Sequence, residues 1–505
     1  KFEEVEVDDV DEGDILLVKT GAKVPVDGTV LMGEGHINEA SITGEAVPVN
    51  KLADAEVFAG TILENGTIQI RADRVGEDTT FGKIIELVEE AQDSKSEAER
   101  FIDRFSKYYT PAVLVLAIVV WAFSQNIELA ITILVLGRPG ALVIGVPVSN
   151  VAGIGNGARN GVLLKGSEVI QDFSNVDTIV FDKTGTLTVG NPTVAATELY
   201  EKDSAETLGY LASVEWESDH PLAKAVLNQI GETNFYPVEG TEVVKGGGIV
   251  SSVAGHRVAV GNVALMEKEN VTLSKKVQKD VKRFEQQGNS LVLTAVDGEL
   301  KVLMGIRDQV RPGVKANLQE LKDLGVKNLV VLSGDNQGTV DVVAGELGLT
   351  EAHGHMLPED KAAYIGKLQQ RGQIVAFVGD GVNDSPSLAL ADIGIAMGSG
   401  TDVAIETSDV VLMNSNFSNL PHALGLVKAT ANNMKQNIVI SIGVVLVLLT
   451  SVFFSEWMNM SIGMLVHEGS ILVVIFNGMR LMKYKLKGRK EQKEVSTPVE
   501  KVKIS

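Results

Sequence analysis

The chain has 505 residues, 45 basic against 66 acidic for a net charge of −21, and 45% hydrophobic residues. That length allows three or four domains, and the acidic balance gives no reason to expect a nucleic-acid partner. There is no cysteine, so disulfides and thiolate metal ligands are excluded.

Residues 1–78 read as a β-rich module. Short alternating runs (Asp14 to Val18, Gly28 to Leu31, Gly66 to Arg71) are separated by Gly, Pro and Asp turns. Within it lie Pro25-Val-Asp27-Gly28 and Thr43-Gly44-Glu45-Ala46. Residues 79–107 predict an amphipathic linker helix with Phe81, Ile84, Ile85, Leu87, Val88 and Ala91 as its apolar positions.

Residues 108–151 form one apolar hairpin and 433–484 a second, with a basic, charged tail over 485–505. Each apolar run approaches the roughly 20 residues a helix needs to cross a bilayer. The second run is interrupted at 137–140 by Gly137-Arg138-Pro139-Gly140, which predicts a broken helix. The links at Ser124-Gln-Asn126 and Ser455-Glu-Trp457 hold no Lys or Arg, whereas the opposite flanks carry Arg100, Arg104, Lys107, Arg159, Lys165, Lys428, Lys435, Lys483 and Lys485. This is the positive-inside pattern for two hairpins with every large domain cytoplasmic.

Residues 168–189 and 306–425 read as one α/β domain split by an insertion over 190–305. Ile179-Val180-Phe181 has the composition of a buried parallel strand, and Asp182 falls at its carboxyl end, where open α/β sheets bind ligands. Lys183, Thr184 and Thr186 follow, with Gly185 permitting a tight turn. An acid at a strand tip before a turn of donors suits an Asp that takes up a phosphoryl group. Later strands, Asn328 to Leu332 and Ile374 to Val378, end in Ser333-Gly334-Asp335 and Gly379-Asp380-Gly381-Val382-Asn383-Asp384.

The run Asp182-Lys-Thr-Gly-Thr-Leu-Thr188 resembles the phosphorylation signature of the P-type ATPases, and the chain is similar to that family over nearly its whole length. The resemblance implies a multidomain α/β protein with membrane helices. Its parts would be a haloacid dehalogenase-like phosphorylation domain, an α/β nucleotide-binding insertion, a β-rich actuator domain and four transmembrane helices. Asp182 would be the phosphorylated nucleophile, and Glu45 would position the water that hydrolyses the acyl phosphate. Lys361, Thr186 and Ser333 would neutralise and hydrogen-bond the transferred group, with Ser333 standing where the family more often has Thr. Asp384 completes the Gly-Asp-Gly-Val-Asn-Asp element, and Asp308, Arg311 and Pro312 match the segment leading back from the insertion. Asp182, the Thr184 carbonyl and Asp380 would hold Mg²⁺.

The insertion is similar to that of the heavy-metal-transporting branch. Ser218-Asp-His220-Pro221 carries its Ser-x-His-Pro motif, and Glu215, His220, Gly246, Gly248, Gly261 and Asn262 would bind ATP. His353 and His355, by contrast, read as a solvated turn, because no further ligands accompany them.

The membrane motif departs from that branch. Its usual Cys-Pro pattern is Arg138-Pro139 here, so soft thiolate chemistry for Cu⁺ is unavailable. His467-Glu468-Gly469 is similar to an element of branches acting on Co²⁺, Fe²⁺, Zn²⁺ or related divalent ions. Arg138, Pro139, His467 and Glu468 are thus the candidates for the transported ion's site, and the intramembrane Arg138 is expected to pair with Glu468. The expected function is ATP-driven export of a divalent metal cation across a bacterial cell membrane, with ATP, the cation and the bilayer as partners and no nucleic acid. Three alternatives stand beside it: a transport-incompetent remnant with residual ATPase or phosphatase chemistry, a proton or hard-cation pump using Arg138 as a built-in counter-ion, and a scaffold that binds no ATP. Intact Asp182, Lys361, Asp380 and Glu45 argue against the scaffold. The resemblance also implies further helices ahead of Lys1, so four of the usual eight are expected here.

Overall fold

The computed structural model describes residues 3–39, 48–82, 86, 97–217, 221–244, 246–379, 384–398, 408–413, 415–454 and 459–487. Three sheets and a set of long apolar helices organise them.

The first sheet is antiparallel. Its strands run in the order Ile15–Lys19, Ile62–Arg74, Asp27–Asn38, Val49–Lys51, and Glu56–Val57 also pairs with Asp27–Asn38. Alternation puts Val18, Val30, Ile37, Leu63, Ile68 and Ile70 into one core. Asp27 is buried there and accepts from Ala59 N (2.9 Å) and Thr80 N (2.6 Å), which ties the sheet to the start of the linker.

The inserted sheet is antiparallel and six-stranded, in the order Thr193–Leu199, Glu299–Arg307, Ser290–Val296, His256–Gly261, Gly248–Val253, Val238–Val244. Helix Ala205–Trp216 packs over strands Gly248–Val253 and His256–Gly261.

The central sheet has seven strands, ordered Glu351–His353, Asn328–Leu332, Thr178–Asp182, Val375–Gly379, Ile393–Gly398, Val410–Met413, Val162–Leu164. All pairings are parallel except the last. Ile179, Val180 and Phe181 are fully buried, as a central parallel strand covered on both faces requires. Register sets Leu332 against Asp182 and Val378 against Phe181, so three strand ends converge on one edge. Edge strand Val162–Leu164 comes from residues ahead of 168, in the connection from the membrane.

Four helical stretches are long and apolar enough to cross a membrane: Ala98–Ser124, Ile127–Arg159, Asn419–Phe454 and Met460–Lys483. We refer to them as the first to fourth spans. The first belongs to a helix, Glu97–Ser124, that runs unbroken through 107 and contains Pro111, so the linker's end and the first apolar run are one rod. The second is interrupted between helices Ile127–Leu136 and Gly140–Arg159. The third starts six residues after strand Val410–Met413 and runs as one helix of 36 residues from the phosphorylation-type domain into the apolar region.

Candidate functional site

Asp182 ends its strand with its side chain almost covered. The chain then turns through Thr184 and Gly185, whose φ of +76° is a left-handed conformation that a side chain would strain. Arg311 fixes this turn from behind: Nη2 donates to Gly185 O (2.7 Å), Nε to Thr186 O (2.9 Å) and Nη1 to Ser415 O (3.0 Å). Asp308 does the same one turn later, accepting from Thr188 Oγ1 (2.5 Å), Gly190 N (3.1 Å) and Asn191 N (3.2 Å). The two chain crossings into and out of the inserted domain are therefore stapled together at the foot of the Asp182 loop.

Lys361 projects from helix Pro358–Gln370 and bridges two carboxylates, at 3.1 Å from Asp182 Oδ1 and 3.2 Å from Asp384 Oδ1. All three groups are buried. Burial, and then the Asp384 carboxylate, push Asp182 well above the usual carboxylate range, with the Lys361 ammonium working the other way. Burial opposes the charge on Lys361, but the two carboxylates outweigh it and hold its pKa above the ordinary value. Two carboxylates sharing one ammonium leave the cluster one negative charge in excess when all are ionised. Asp384 Oδ2 and Thr186 Oγ1 are buried without hydrogen-bond partners. Such orphaned oxygens cost free energy unless a ligand meets them. An excess negative charge beside unsatisfied oxygens is the chemistry that suits a hard divalent cation and a phosphoryl group.

Ser333 lies on the neighbouring strand end, buried, its Oγ accepting from Asp335 N (3.1 Å) and its proton free to be donated. Lys183 was read from the sequence only as a donor in the turn. It forms a buried ion pair with Asp335 at 2.6 Å, linking the Asp182 loop to the Ser333 loop. The sequence signal was available, since each residue flanks a strand end, but only the sheet order makes them neighbours. Glu45, His220 and Asp380 lie outside the described residues.

In the inserted domain Gly246, Gly248, Gly261 and Asn262 form one cluster. A Cβ at Gly248 would sit 2.1 Å from Val260 O, and one at Gly261 2.1 Å from Gly247 O, so two backbones meet where only glycine fits. Asn262 Nδ2 donates to Gly246 O (2.7 Å) while its Oδ1 caps helix Val263–Lys268 at Leu265 N (3.0 Å). Leu357, the residue before Pro358, approaches within 3.3 Å of where a Gly246 Cβ would be. The cluster thus abuts the helix that carries Lys361. Glu215 is buried on helix Ala205–Trp216, and burial pushes its carboxyl up to about 7. Trp216, the next residue, is exposed and meets Phe235 edge-on.

In the membrane region, Pro139 sits in the interruption with Arg138, and the buried His467 closes over it. His467 Nε2 donates to Arg138 O at 2.8 Å, and a Cβ at Gly140 would be 3.0 Å from its Cε1. Its other nitrogen, Nδ1, lies 3.8 Å from Glu468 Oε1. The expected pair between Arg138 and Glu468 is not formed. The Arg138 side chain is exposed, and among the described residues no carboxylate comes within ion-pair distance of it. The reason is directional: His467, one residue before Glu468, faces the interruption, so Glu468 points off that face. The break thus meets the fourth span's imidazole at a backbone carbonyl, with the Glu468 carboxylate next to that imidazole but turned off the face; nitrogen and oxygen donors of this kind suit borderline and hard divalent ions. Among the described residues no preformed cluster of three or more His, Asp or Glu exists.

Residues 176–392 match the family model of haloacid dehalogenase-like hydrolases, and residues 1–89 that of the P-type ATPase actuator domain. The chain is 38% identical over 498 residues to a cadmium-transporting ATPase of Staphylococcus aureus, covering 95% of this chain and 68% of that one. It is 40% identical over 446 residues to a copper-exporting P-type ATPase of Staphylococcus aureus (strain Newman), covering 86% and 55%. A crystal structure of a zinc-transporting PIB-type ATPase in its E2.Pi state superposes with a TM-score of 0.59 at 33% identity, covering 95% of this chain and 80% of that one.

Proposed function

Because the chain belongs to the heavy-metal-transporting branch of the P-type ATPases, we propose that it moves a divalent transition-metal cation out of the cytoplasm, using ATP and forming a phosphoenzyme on Asp182. It is an ATP-hydrolysing cation transporter; the cation and the roles of its residues are our reading. The observation that carries this reading is the buried Asp182–Lys361–Asp384 cluster with its orphaned oxygens.

Asp182 attacks the terminal phosphorus of ATP, a new O–P bond forms, and the bond to the departing ADP oxygen breaks. Lys361, already between the two carboxylates, opposes the protonation of Asp182 that burial and Asp384 favour, and offers its ammonium to the phosphoryl oxygens. Thr186 Oγ1, buried and unpartnered, and Ser333 Oγ donate to those oxygens. Asp182, the Thr184 carbonyl and Asp380 would hold Mg²⁺, which would supply charge neutralisation of the phosphates. The tightly packed glycine backbone and Asn262, beside Leu357, would line the ATP site, and the family resemblance would add Glu215 and His220 to it. Glu45 then orients the water that cleaves the acyl phosphate.

The cargo site is the interruption at Arg138-Pro139, closed by His467 and flanked by Glu468. Its donors favour Zn²⁺, Co²⁺ or Cd²⁺ over Cu⁺. The exposed Arg138 side chain has no carboxylate partner among the described residues, which removes the support for a built-in counter-ion. The site works from the cell membrane, with the catalytic domains on the cytoplasmic side.

The test is ATP-dependent uptake of Zn²⁺, Cd²⁺ and Co²⁺ by the protein reconstituted in proteoliposomes. Uptake of at least one ion is expected, abolished by Asp182→Asn. Arg138→Cys should shift preference toward Cd²⁺ rather than switch transport on. Uptake of none of the three by the parent protein, or uptake surviving in Asp182→Asn, would contradict the reading.

A further inference from the structure

A second polar cluster lies in the membrane helices, away from His467. Asn437 is fully buried on the third span. Its Nδ2 has Gly145 O at 2.8 Å, Ser149 Oγ at 3.1 Å and Val474 O at 3.2 Å as acceptors. Its Oδ1 accepts from Asn477 Nδ2 at 2.9 Å. Asn433, one turn earlier on the same face, donates from Nδ2 to Asn477 O (2.9 Å) and accepts from Ser149 Oγ (2.7 Å). Two asparagines of the third span thereby hold helix Gly140–Arg159 and the fourth span at once.

Proton counting decides what the cluster is for. Asn437 has two amide hydrogens for three acceptors, and Ser149 has one hydroxyl hydrogen that Gly145 O and Asn433 Oδ1 share. The donors are spent on protein acceptors, the side-chain oxygens of Ser149, Asn433 and Asn437 each already accept a protein hydrogen, and the group contains no carboxylate or imidazole. It is a closed lock, not a second ion site. The packing agrees. A Cβ at Gly145 would lie 3.1 Å from Asn437 Cβ and 3.3 Å from Val474 Cβ, so the helices meet closely at this glycine and an added methyl would press on both neighbours. Gly145 also stands two residues before Pro147, inside the half-helix that begins at Gly140 under His467. The third span, in turn, is the continuous helix that issues from the phosphorylation domain.

We propose that Asn437 is a positioning residue: it sets the register of helix Gly140–Arg159 against the third and fourth spans, and through that register the affinity of the interruption for its cation. Hydrogen bonds buried in this apolar setting are costly to leave unmade, so the lock holds one alignment of three helices rather than a continuum. A shift of the third span driven from the phosphorylation domain must then carry the half-helix with it or break the lock.

The proposal rests on the transport reading above, and the experiment keeps the two apart. The reconstituted protein is assayed for Zn²⁺-, Cd²⁺- and Co²⁺-stimulated ATPase, measuring the half-saturating cation concentration and the KM for ATP. Asn437→Ala is expected to raise the half-saturating cation concentration about tenfold, with the KM for ATP held within about twofold. Asn437→Gln, which keeps the amide, should recover part of the loss. Unchanged cation dependence in a folded Asn437→Ala protein, or equal movement of both constants, would overturn the proposal. If Asn437→Ala does not fold, Ser149→Ala must show the same split in smaller degree. A parent protein stimulated by none of the three cations contradicts the transport reading instead. The lock is then judged from thermal unfolding: Ser149→Ala should lower the midpoint less on top of Asn437→Ala than it does alone, and fully additive shifts would sink it.

Discussion

At the scale of single residues, the chemistry turns on how burial and charge are set against each other. Asp182 is the proposed nucleophile, yet burial and Asp384 favour its protonated, unreactive form. Lys361 is the counterweight. Glu215 is a simpler case, because burial raises its carboxyl to about 7. Its sign follows from linkage. Between the ordinary value of 4.5 and about 7 the folded protein binds more protons than the unfolded chain, so stability falls as pH rises through that window and levels off above it. Glu215→Gln should therefore match the parent protein near pH 4.5 and exceed it by about 2–3 kcal/mol near pH 8. Parallel denaturation curves at the two pH values check this; an equal difference at both would show that Glu215 is not held neutral by burial. The proximity of Asp182 and Ser333 was legible because each sits at a strand end, and that of Lys361 because its short run opens a helix beside them. The partner of Arg138 was not. Charge complementarity named Glu468, but the rotation of the fourth span turns His467, not Glu468, toward the interruption.

At the scale of elements, composition and conformation part company. The sequence changes character near residue 107, from amphipathic to apolar, but helix Glu97–Ser124 does not notice. A change of solvent alters which residues are favoured and leaves the backbone hydrogen bonding alone. Strand Val162–Leu164 was invisible for the opposite reason: three residues carry too little periodicity to read, and it is the sheet edge beside Val410–Met413 that recruits them. The interruption at 137–140 was legible because Gly and Pro act locally on the backbone. Glycine seams fix how the membrane helices meet. A Cβ at Gly153 would stand 2.4 Å from Thr430 Oγ1, where the second and third spans cross. Gly153→Ala should cost about 1–3 kcal/mol through overpacking, read as a lower unfolding midpoint in detergent. Gly443→Ala on the third span, where nothing lies within 4 Å of the added carbon, should cost far less. Equal shifts for the two would mean that the seam is loose.

At the scale of the whole molecule, each domain puts one end of its chemistry against another. The glycine cluster abuts Leu357 and so brings the nucleotide-side backbone to the helix of Lys361. Arg311 and Asp308 staple the crossings between the inserted and central sheets to the Asp182 loop. The third span leaves the central sheet and reaches the interruption through Asn437 and helix Gly140–Arg159. The proposed phosphorylation and cation sites are thus linked through packed helices. The fold class was legible because motifs name the strands, whereas this joinery depends on contacts between residues far apart in sequence. The most direct test of the account is phosphoenzyme formation with terminally radiolabelled ATP, acid-quenched, with Zn²⁺, Cd²⁺ or Co²⁺ or with chelator. The account predicts an acid-resistant, hydroxylamine-sensitive label that requires one of these cations and is absent from Asp182→Asn. A label that forms equally well in chelator, or that persists in Asp182→Asn, would contradict it.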